Sequence, residues 1–109
     1  MKIVGLAIEQ TRLSTAEAEL RVTVTADEAV PDAAIAGRLT GPLCPHAETV
    51  QLAYPLKMLS GMPLSARIIV DEPNLSTAAM PFRYDGVVEL RVGGTVVDRR
   101  DFQVFFKSL

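Results

Sequence analysis

The sequence has no tryptophan, one cysteine and one histidine, and its other aromatic side chains are four phenylalanines and two tyrosines. A single cysteine, Cys44, cannot form a disulfide within the chain, so the fold must be stable without one. A single histidine, His46, limits both serine-triad and zinc chemistry, because each combines histidine with further catalytic or ligating groups. The absence of tryptophan also argues against a sugar-binding platform of exposed stacked rings.

Strong charge and long apolar runs are absent as well. The formal net charge is −2, and like charges never run longer than two residues, so nothing resembles the electrostatic footprint of a nucleic-acid or anionic-lipid partner. No apolar run approaches the roughly eighteen residues of a membrane span. The short apolar run at the N-terminus stops at Glu9, too early for a signal-peptide core. We therefore expect a soluble, cytoplasmic protein whose partners are neither nucleic acid nor membrane.

What the chain does contain is period-two alternation of apolar and polar residues. In "AELRVTV", Ala18, Leu20 and Val22 fall on one face, which is typical of a half-buried antiparallel strand. "STAEAEL" could instead begin a helix, but its β-branched continuation favours a strand. Similar runs, separated by proline and glycine, are "IVGLAIEQ", "AIAGRLTG", "TVQLAY", "LSARIIV", "YDGVVELRV" and "TVVDRRDFQVFF". This pattern predicts an all-β fold, an immunoglobulin-like β-sandwich of about seven antiparallel strands, with residues 1–109 as a single domain.

The clearest local feature is "VGGT", in which Gly93-Gly94 can form a two-residue hairpin turn with positive φ at both positions. Counted back from this turn, Leu90 lies opposite Val97, and the register then mixes apolar and polar residues on both faces. An extra residue within Asp98–Asp101 restores the alternation.

We therefore predict a β-bulge within Asp98–Asp101. Beyond the bulge, Gly86 should face Phe102 and Tyr84 should face Val104. The corrected alternation predicts three buried residues near the C-terminus, namely Phe102, Val104 and Phe106.

The C-terminal third, "VDEPNLSTAAMPFRYDGVVELRVGGTVVDRRDFQVFFKSL", resembles the immunoglobulin-like sandwich domain of glycoside hydrolase family 2 enzymes. The resemblance is carried by Pro73 and Leu75, by Pro81 and Tyr84, by the hairpin from Val88 to Arg99, and by Phe106 and Lys107. Two positions depart from it, because the family usually has tryptophan in place of Ser76 and glycine in place of Phe105. The resemblance implies an accessory domain, since the catalytic carboxylates of those enzymes lie in a separate barrel. No catalytic residue is carried over.

The loop sequence "LCPHAE" places Cys44 and His46 two residues apart with Pro45 between them. A catalytic thiol needs a base and an orienting group, and a metal site needs three or four ligands. Only Glu48 is near enough in sequence to supplement the pair. We therefore predict neither a metal nor a catalytic site here and expect no cofactor, with Cys44 packed as a small apolar residue and His46 in solvent.

Other candidate sites have structural interpretations. The carboxylates Asp85, Glu89, Asp98 and Asp101 should point outward from their strands, without the controlled spacing of a glycosidase pair. Tyr54 and Tyr84 are expected in the core, the latter at a tyrosine corner. The methionine-rich stretch "YPLKMLSGMPL" is predicted to be a long connection that covers one end of the sandwich or offers a contact surface.

One feature indicates association. The N-terminal strand is a candidate sheet edge with few charges, and Ile3, Gly5 and Ala7 are predicted to face outward. Phe105, out of phase with its neighbours, is a bulky candidate for the same surface. We therefore expect a non-catalytic structural or interaction module that binds a protein partner or a second copy of itself. The alternatives are an accessory carbohydrate-associated domain and, more remotely, a small thiol- or metal-dependent enzyme.

Overall fold

The computed structural model describes residues 1–107, which form eight β-strands and no helix. The strands are β1 (Ile3–Leu13), β2 (Glu17–Ala26), β3 (Ala33–Leu43), β4 (Leu52–Pro55), β5 (Lys57–Gly61), β6 (Leu64–Asp71), β7 (Arg83–Val92) and β8 (Thr95–Val104). One sheet has the order β1-β2-β6-β5 and the other β4-β3-β7-β8, and every neighbouring pair is antiparallel. The prediction of an all-β immunoglobulin-like sandwich is confirmed, with one unpredicted strand, β5, beside β6. None of the described elements is a helix of the length and apolarity that a membrane span requires.

The core lies between the inner faces of the two sheets. In β2 the alternating apolar residues are buried as predicted, and β6 pairs with it directly. The other sheet contributes the apolar positions of β3 and β7. The largest side chains that are fully enclosed are Tyr84, Phe106, Leu20, Leu39, Ile68 and Leu90. Burial of this apolar set is the main force that holds the sheets together, at about 25 cal/mol per Å².

The methionine-rich stretch differs from its prediction as one long connection, because after the predicted strand β4 it forms a further short strand, β5. β4 pairs with β3 in one sheet and β5 pairs with β6 in the other. Between them Leu56 is buried, and its N–H donates a hydrogen bond to the Gly37 carbonyl at 3.0 Å. This residue carries the chain from one sheet to the other, so the apolar residues on either side of it become edge-strand residues.

The β7–β8 hairpin turns at Gly93 and Gly94, whose φ values are 58° and 82°. A bulge is present, but it lies at Val97, since Leu90 pairs with Asp98 and Arg91 pairs with Val96. The predicted location within Asp98–Asp101 and the pairing of Leu90 with Val97 were therefore wrong. Alternation alone could not locate the bulge, because an extra residue at any position from Val97 to Asp101 restores the same pairing further along the strand.

Past the bulge the predicted register is confirmed, with Gly86 opposite Phe102 and Tyr84 opposite Val104. Phe106 is fully buried, whereas Phe102 and Val104 are half-buried and pack against the core. Both side chains are less enclosed than predicted because β8 is an edge strand, with a neighbouring strand, β7, on one side only.

A tyrosine corner joins the chain after β6 to the start of β7. The buried Tyr84 hydroxyl accepts a hydrogen bond from the Asn74 N–H at 3.0 Å, and its ring packs edge-on against Phe106 at 5.0 Å between centroids. This confirms the predicted corner and core position. Tyr54 is half-buried, with its ring centroid 6.4 Å from that of Tyr84.

Candidate functional site

β1 is an edge strand, paired only with β2. Ala7 is exposed and Gly5 is half-buried, but Ile3 is only 2% exposed, so the prediction that Ile3 faces outward was wrong. The register shifts between Ile3 and Gly5, which leaves Val4 as the extra residue of a bulge. This bulge reverses the alternation, so Val4 is 61% exposed instead.

Side chains of β8 hold the start of β1. The Ile3 N–H donates to Asp98 Oδ2 at 2.7 Å, and Arg100 Nη2 donates to the Ile3 carbonyl at 2.7 Å. The Ile3 N–H, followed by the Arg99 N–H, lowers the pKa of Asp98. The first and last strands therefore approach each other as predicted, and the contact closes one side of the sandwich.

Three exposed valines lie within two residues of Ile3 or Asp98 in the sequence, and we call them the bulge patch: Val4, Val96 and Val97. Val4 follows Ile3 in sequence, and Val97 precedes Asp98. Inspection of the sequence did not identify this patch, because Val4 and Val97 are the extra residues of two bulges that were not located there. The change of phase between Val97 and Phe102 was the one signal of it.

Phe105 follows β8 and is 41% exposed, with Lys107 Nζ 5.9 Å from its ring centroid. It lines a shallow concavity with Ser76, Thr77, Ala78, Pro81 and Lys107, to which β1 contributes no residue. Along β8, Phe105 lies more than about 20 Å from the bulge patch at about 3.3 Å per residue. The structure therefore does not bring Phe105 and Ile3 together on one surface.

Cys44 and His46 lie in a tight loop after β3. Cys44 is half-buried and bridges to Ala47, whose N–H points to the Cys44 carbonyl at 3.5 Å, while His46 is exposed. Among residues 1–107 there is no group of three histidine, cysteine or acidic side chains that could hold a metal ion. The loop thus brings no third chemical group to the pair.

Acidic side chains on the second sheet are paired with arginines two residues away in the same strand. Arg83 Nε lies 2.9 Å from Asp85, Arg91 lies 2.6 Å from Glu89, and Arg99 lies 3.3 Å from Asp101, by their nearest nitrogen–oxygen distances. The fourth predicted carboxylate is the one that holds Ile3. None of these pairs forms two free carboxyls across a cleft.

A groove of about 530 Å³ opens at the end of the sandwich where β3 ends and β6 ends, and we call it the end groove. Its apolar lining comes from β3, β4 and the neighbouring loops and includes Pro42, Val50, Leu52, Tyr54, Met80 and Phe82. Glu48, Asp71, Glu72 and Asn74 provide polar groups. Burial is the main cause that raises the pKa of Tyr54, followed by the charges of Tyr84, Asp71 and Glu72.

No model of a known protein family and no curated protein sequence matches the chain. Solved structures do match its fold. The chain is 13% identical to a β-glycosidase from Bacteroides vulgatus with a TM-score of 0.61, over 96% of this chain and 13% of that one. It is 17% identical to a glycosyl hydrolase family 2 member from Bacteroides cellulosilyticus with a TM-score of 0.59, over 96% of this chain and 15% of that one.

A β-glucuronidase from glycoside hydrolase family 2 is 16% identical with a TM-score of 0.58, over 94% of this chain and 11% of that one. The chain therefore spans less than a sixth of the length of each of these structures. Its fold is that of a sandwich domain found in family 2 glycosidases. The resemblance predicted from the C-terminal third extends, in structure, over nearly the whole chain.

Proposed function

We propose that the chain is a non-catalytic accessory β-sandwich of the type found in carbohydrate-active enzymes, and that it works by packing against protein surfaces. The observation that carries the proposal is the coverage of the structural match. Nearly all of this chain corresponds to 11–15% of much longer glycosidases. A sandwich that occupies so small a share of an enzyme is suited to spacing and contact.

The acidic side chains support a non-catalytic role. Glycosidase chemistry uses two carboxyl groups about 5–10 Å apart across a cleft. Here Asp85, Glu89 and Asp101 lie on a sheet face, each beside an arginine. The test is an assay of the purified chain with aryl β-galactoside, β-glucoside and β-glucuronide. We expect no release of the aryl group, and release that disappears on Asp85→Asn or Glu89→Gln would contradict the proposal.

Protein contact is favoured over sugar contact because of where the apolar side chains lie. Tyr84 is buried and Tyr54 is half-buried, so neither tyrosine offers the fully exposed ring on which sugar-binding modules stack their ligands. Phe105 and the bulge patch, in contrast, expose apolar side chains to solvent. Exposed clusters of this kind mark interaction surfaces more often than isolated ones do.

Measurement of molecular mass by sedimentation across a concentration series tests this contact function. We expect association, weakly dependent on salt, that Phe105→Glu weakens at least about tenfold, the effect of losing an anchor of about 1.4 kcal/mol. Met62→Glu, an exposed change at the opposite end, is the matched control and should leave the mass unchanged. A monomer at every concentration, together with no partner captured from native lysate, would refute the contact function.

A further inference from the structure

The end groove is built where the two sheets separate. Pro42 of β3 and Tyr54 of β4 line it from one sheet, and Asp71 at the end of β6 lines it from the other. The half-buried Tyr54 ring lies against Tyr84, which fixes it within the groove. Strands of both sheets therefore form part of the groove wall, and residues of the loops after β3 and β6 complete it.

The side of the groove next to β4 exposes large apolar side chains. Val50 is 84% exposed and Leu52 is 55% exposed, although alternation with Tyr54 predicts one apolar face for all three. β4 is also the edge of its sheet, so one side of its backbone pairs with no other described strand. An extended peptide beside β4 could pair with this backbone and cover both side chains.

The charge in the groove has one sign. Glu48, Asp71 and Glu72 line it, and its lining includes no lysine, arginine or histidine. Within residues 1–107 none of these three carboxylates forms an ion pair, whereas the acidic residues on the outer face of β7 and β8 do. Burial is the main cause that raises the pKa of Tyr54, and the charges of Tyr84, Asp71 and Glu72 raise it further.

We propose that the end groove binds an extended segment of a partner protein through an arginine or lysine flanked by apolar residues. The alkyl stem of such a side chain would pack on Tyr54 and Phe82, and its charged head would reach Asp71 and Glu72. The flanking apolar residues would cover Val50 and Leu52. The proposal goes beyond the contact function above, because it concerns another surface and names the chemistry of the occupant.

Two blocked pentapeptides test the proposal: Thr-Val-Arg-Val-Thr and its twin with glutamine in place of arginine. Binding is measured by fluorescence anisotropy, and the site is mapped by amide NMR shifts of the isotope-labelled chain. We expect the arginine peptide to shift resonances around Tyr54 and Glu72 and to bind at least about tenfold more tightly than its twin, as a charge-assisted hydrogen bond allows. Its affinity should fall as salt rises.

The double variant Asp71→Asn with Glu72→Gln should weaken the arginine peptide at least about tenfold. Its matched control, Asp32→Asn with Glu28→Gln, removes the same charge at the opposite end and should leave binding unchanged. An unchanged unfolding midpoint in both variants shows that the fold is intact. Phe105→Glu should also leave peptide binding unchanged, which separates this test from that of the contact function.

Several outcomes would overturn the proposal. Equal affinity for the two peptides would show that charge plays no part. Shifts confined to residues outside the groove, or no shifts at millimolar peptide, would show that the groove is not the site. A groove that responds to cellobiose and not to the arginine peptide would be a sugar site instead.

Discussion

At the scale of single residues, one ring in the sandwich rests on bare backbone. Gly86 of β7 lies opposite Phe102 of β8, and a Cβ at Gly86 would come within 2.2 Å of the Phe102 ring. The glycine thus makes room for the aromatic ring. The Phe102 ring, on the edge strand β8, in turn covers the Gly86 backbone, which would otherwise be open to water.

Gly86→Ala should therefore destabilise the chain by about 1–3 kcal/mol, because the methyl group forces the ring out of place. In a Phe102→Ala background the same change should cost much less, since the obstacle is gone. Gly61→Ala is the matched control, because its Cβ would meet only Met58 Cε at 3.6 Å. The free energy of unfolding is measured by chemical unfolding of wild type, the three single variants and the double variant Gly86→Ala with Phe102→Ala. Equal costs in both backgrounds would contradict the packing argument.

Tyr84 and Tyr54 form a second natural comparison. The Tyr84 hydroxyl accepts the Asn74 N–H, so Tyr84→Phe should cost about 1–3 kcal/mol of unfolding free energy by leaving that donor without its partner. The described residues give the Tyr54 hydroxyl no hydrogen bond, so Tyr54→Phe should change stability by less than about 0.5 kcal/mol. Equal effects of the two substitutions, measured by urea unfolding, would show that the corner bond contributes nothing.

At the scale of elements, the start of β1 depends on a carboxylate of another strand. The folded pKa of Asp98 is lowered by the Ile3 N–H, so its contribution is fully present above the unfolded pKa of about 3.9 and is lost as the pH falls through the folded pKa. Asp98→Asn should lower the unfolding midpoint at neutral pH and lose less stability than wild type between about pH 5 and pH 2.

Hydrogen exchange at the Ile3 amide gives a direct readout of the same contact, and it should be faster in Asp98→Asn at neutral pH. Asp101→Asn is the control, since within residues 1–107 the hydrogen bonds to that exposed carboxylate all come from Arg99. Two parallel pH profiles for wild type and Asp98→Asn would mean that Asp98 does not hold the strand.

The same elements show how far the sequence determined the fold. Alternation identified β2, β6 and β7 correctly, because each is an interior strand or pairs through a regular register. It misplaced Ile3 and Val97, because a bulge changes which face a residue occupies without changing the residue types nearby. It also missed β5, because a strand of five residues at a sheet edge buries too few side chains to show a period.

At the scale of the whole molecule, the candidate sites could not be predicted because they join distant parts of the chain. Tyr54, Asp71 and Phe82 meet in the end groove only after β4 and β6 are assigned to different sheets. The pairings β2 with β6 and β3 with β7 bring together residues roughly fifty positions apart. The fold itself could be predicted from the sequence, because the resemblance to the family 2 sandwich domain rests on residues close together in the chain, in the β7–β8 hairpin and the tyrosine corner.

The whole chain should also fold and remain folded without metal or disulfide. Cys44 is the only cysteine and is half-buried, and residues 1–107 hold no cluster of three metal-ligating side chains. We expect the same unfolding midpoint with and without chelator and reductant, and a change of less than about 1 kcal/mol on Cys44→Ser, as for a small partly enclosed apolar residue. Stoichiometric zinc lost on Cys44→Ser, or alkylation of Cys44 far faster than of a small thiol in the same buffer, would instead establish a site at this loop.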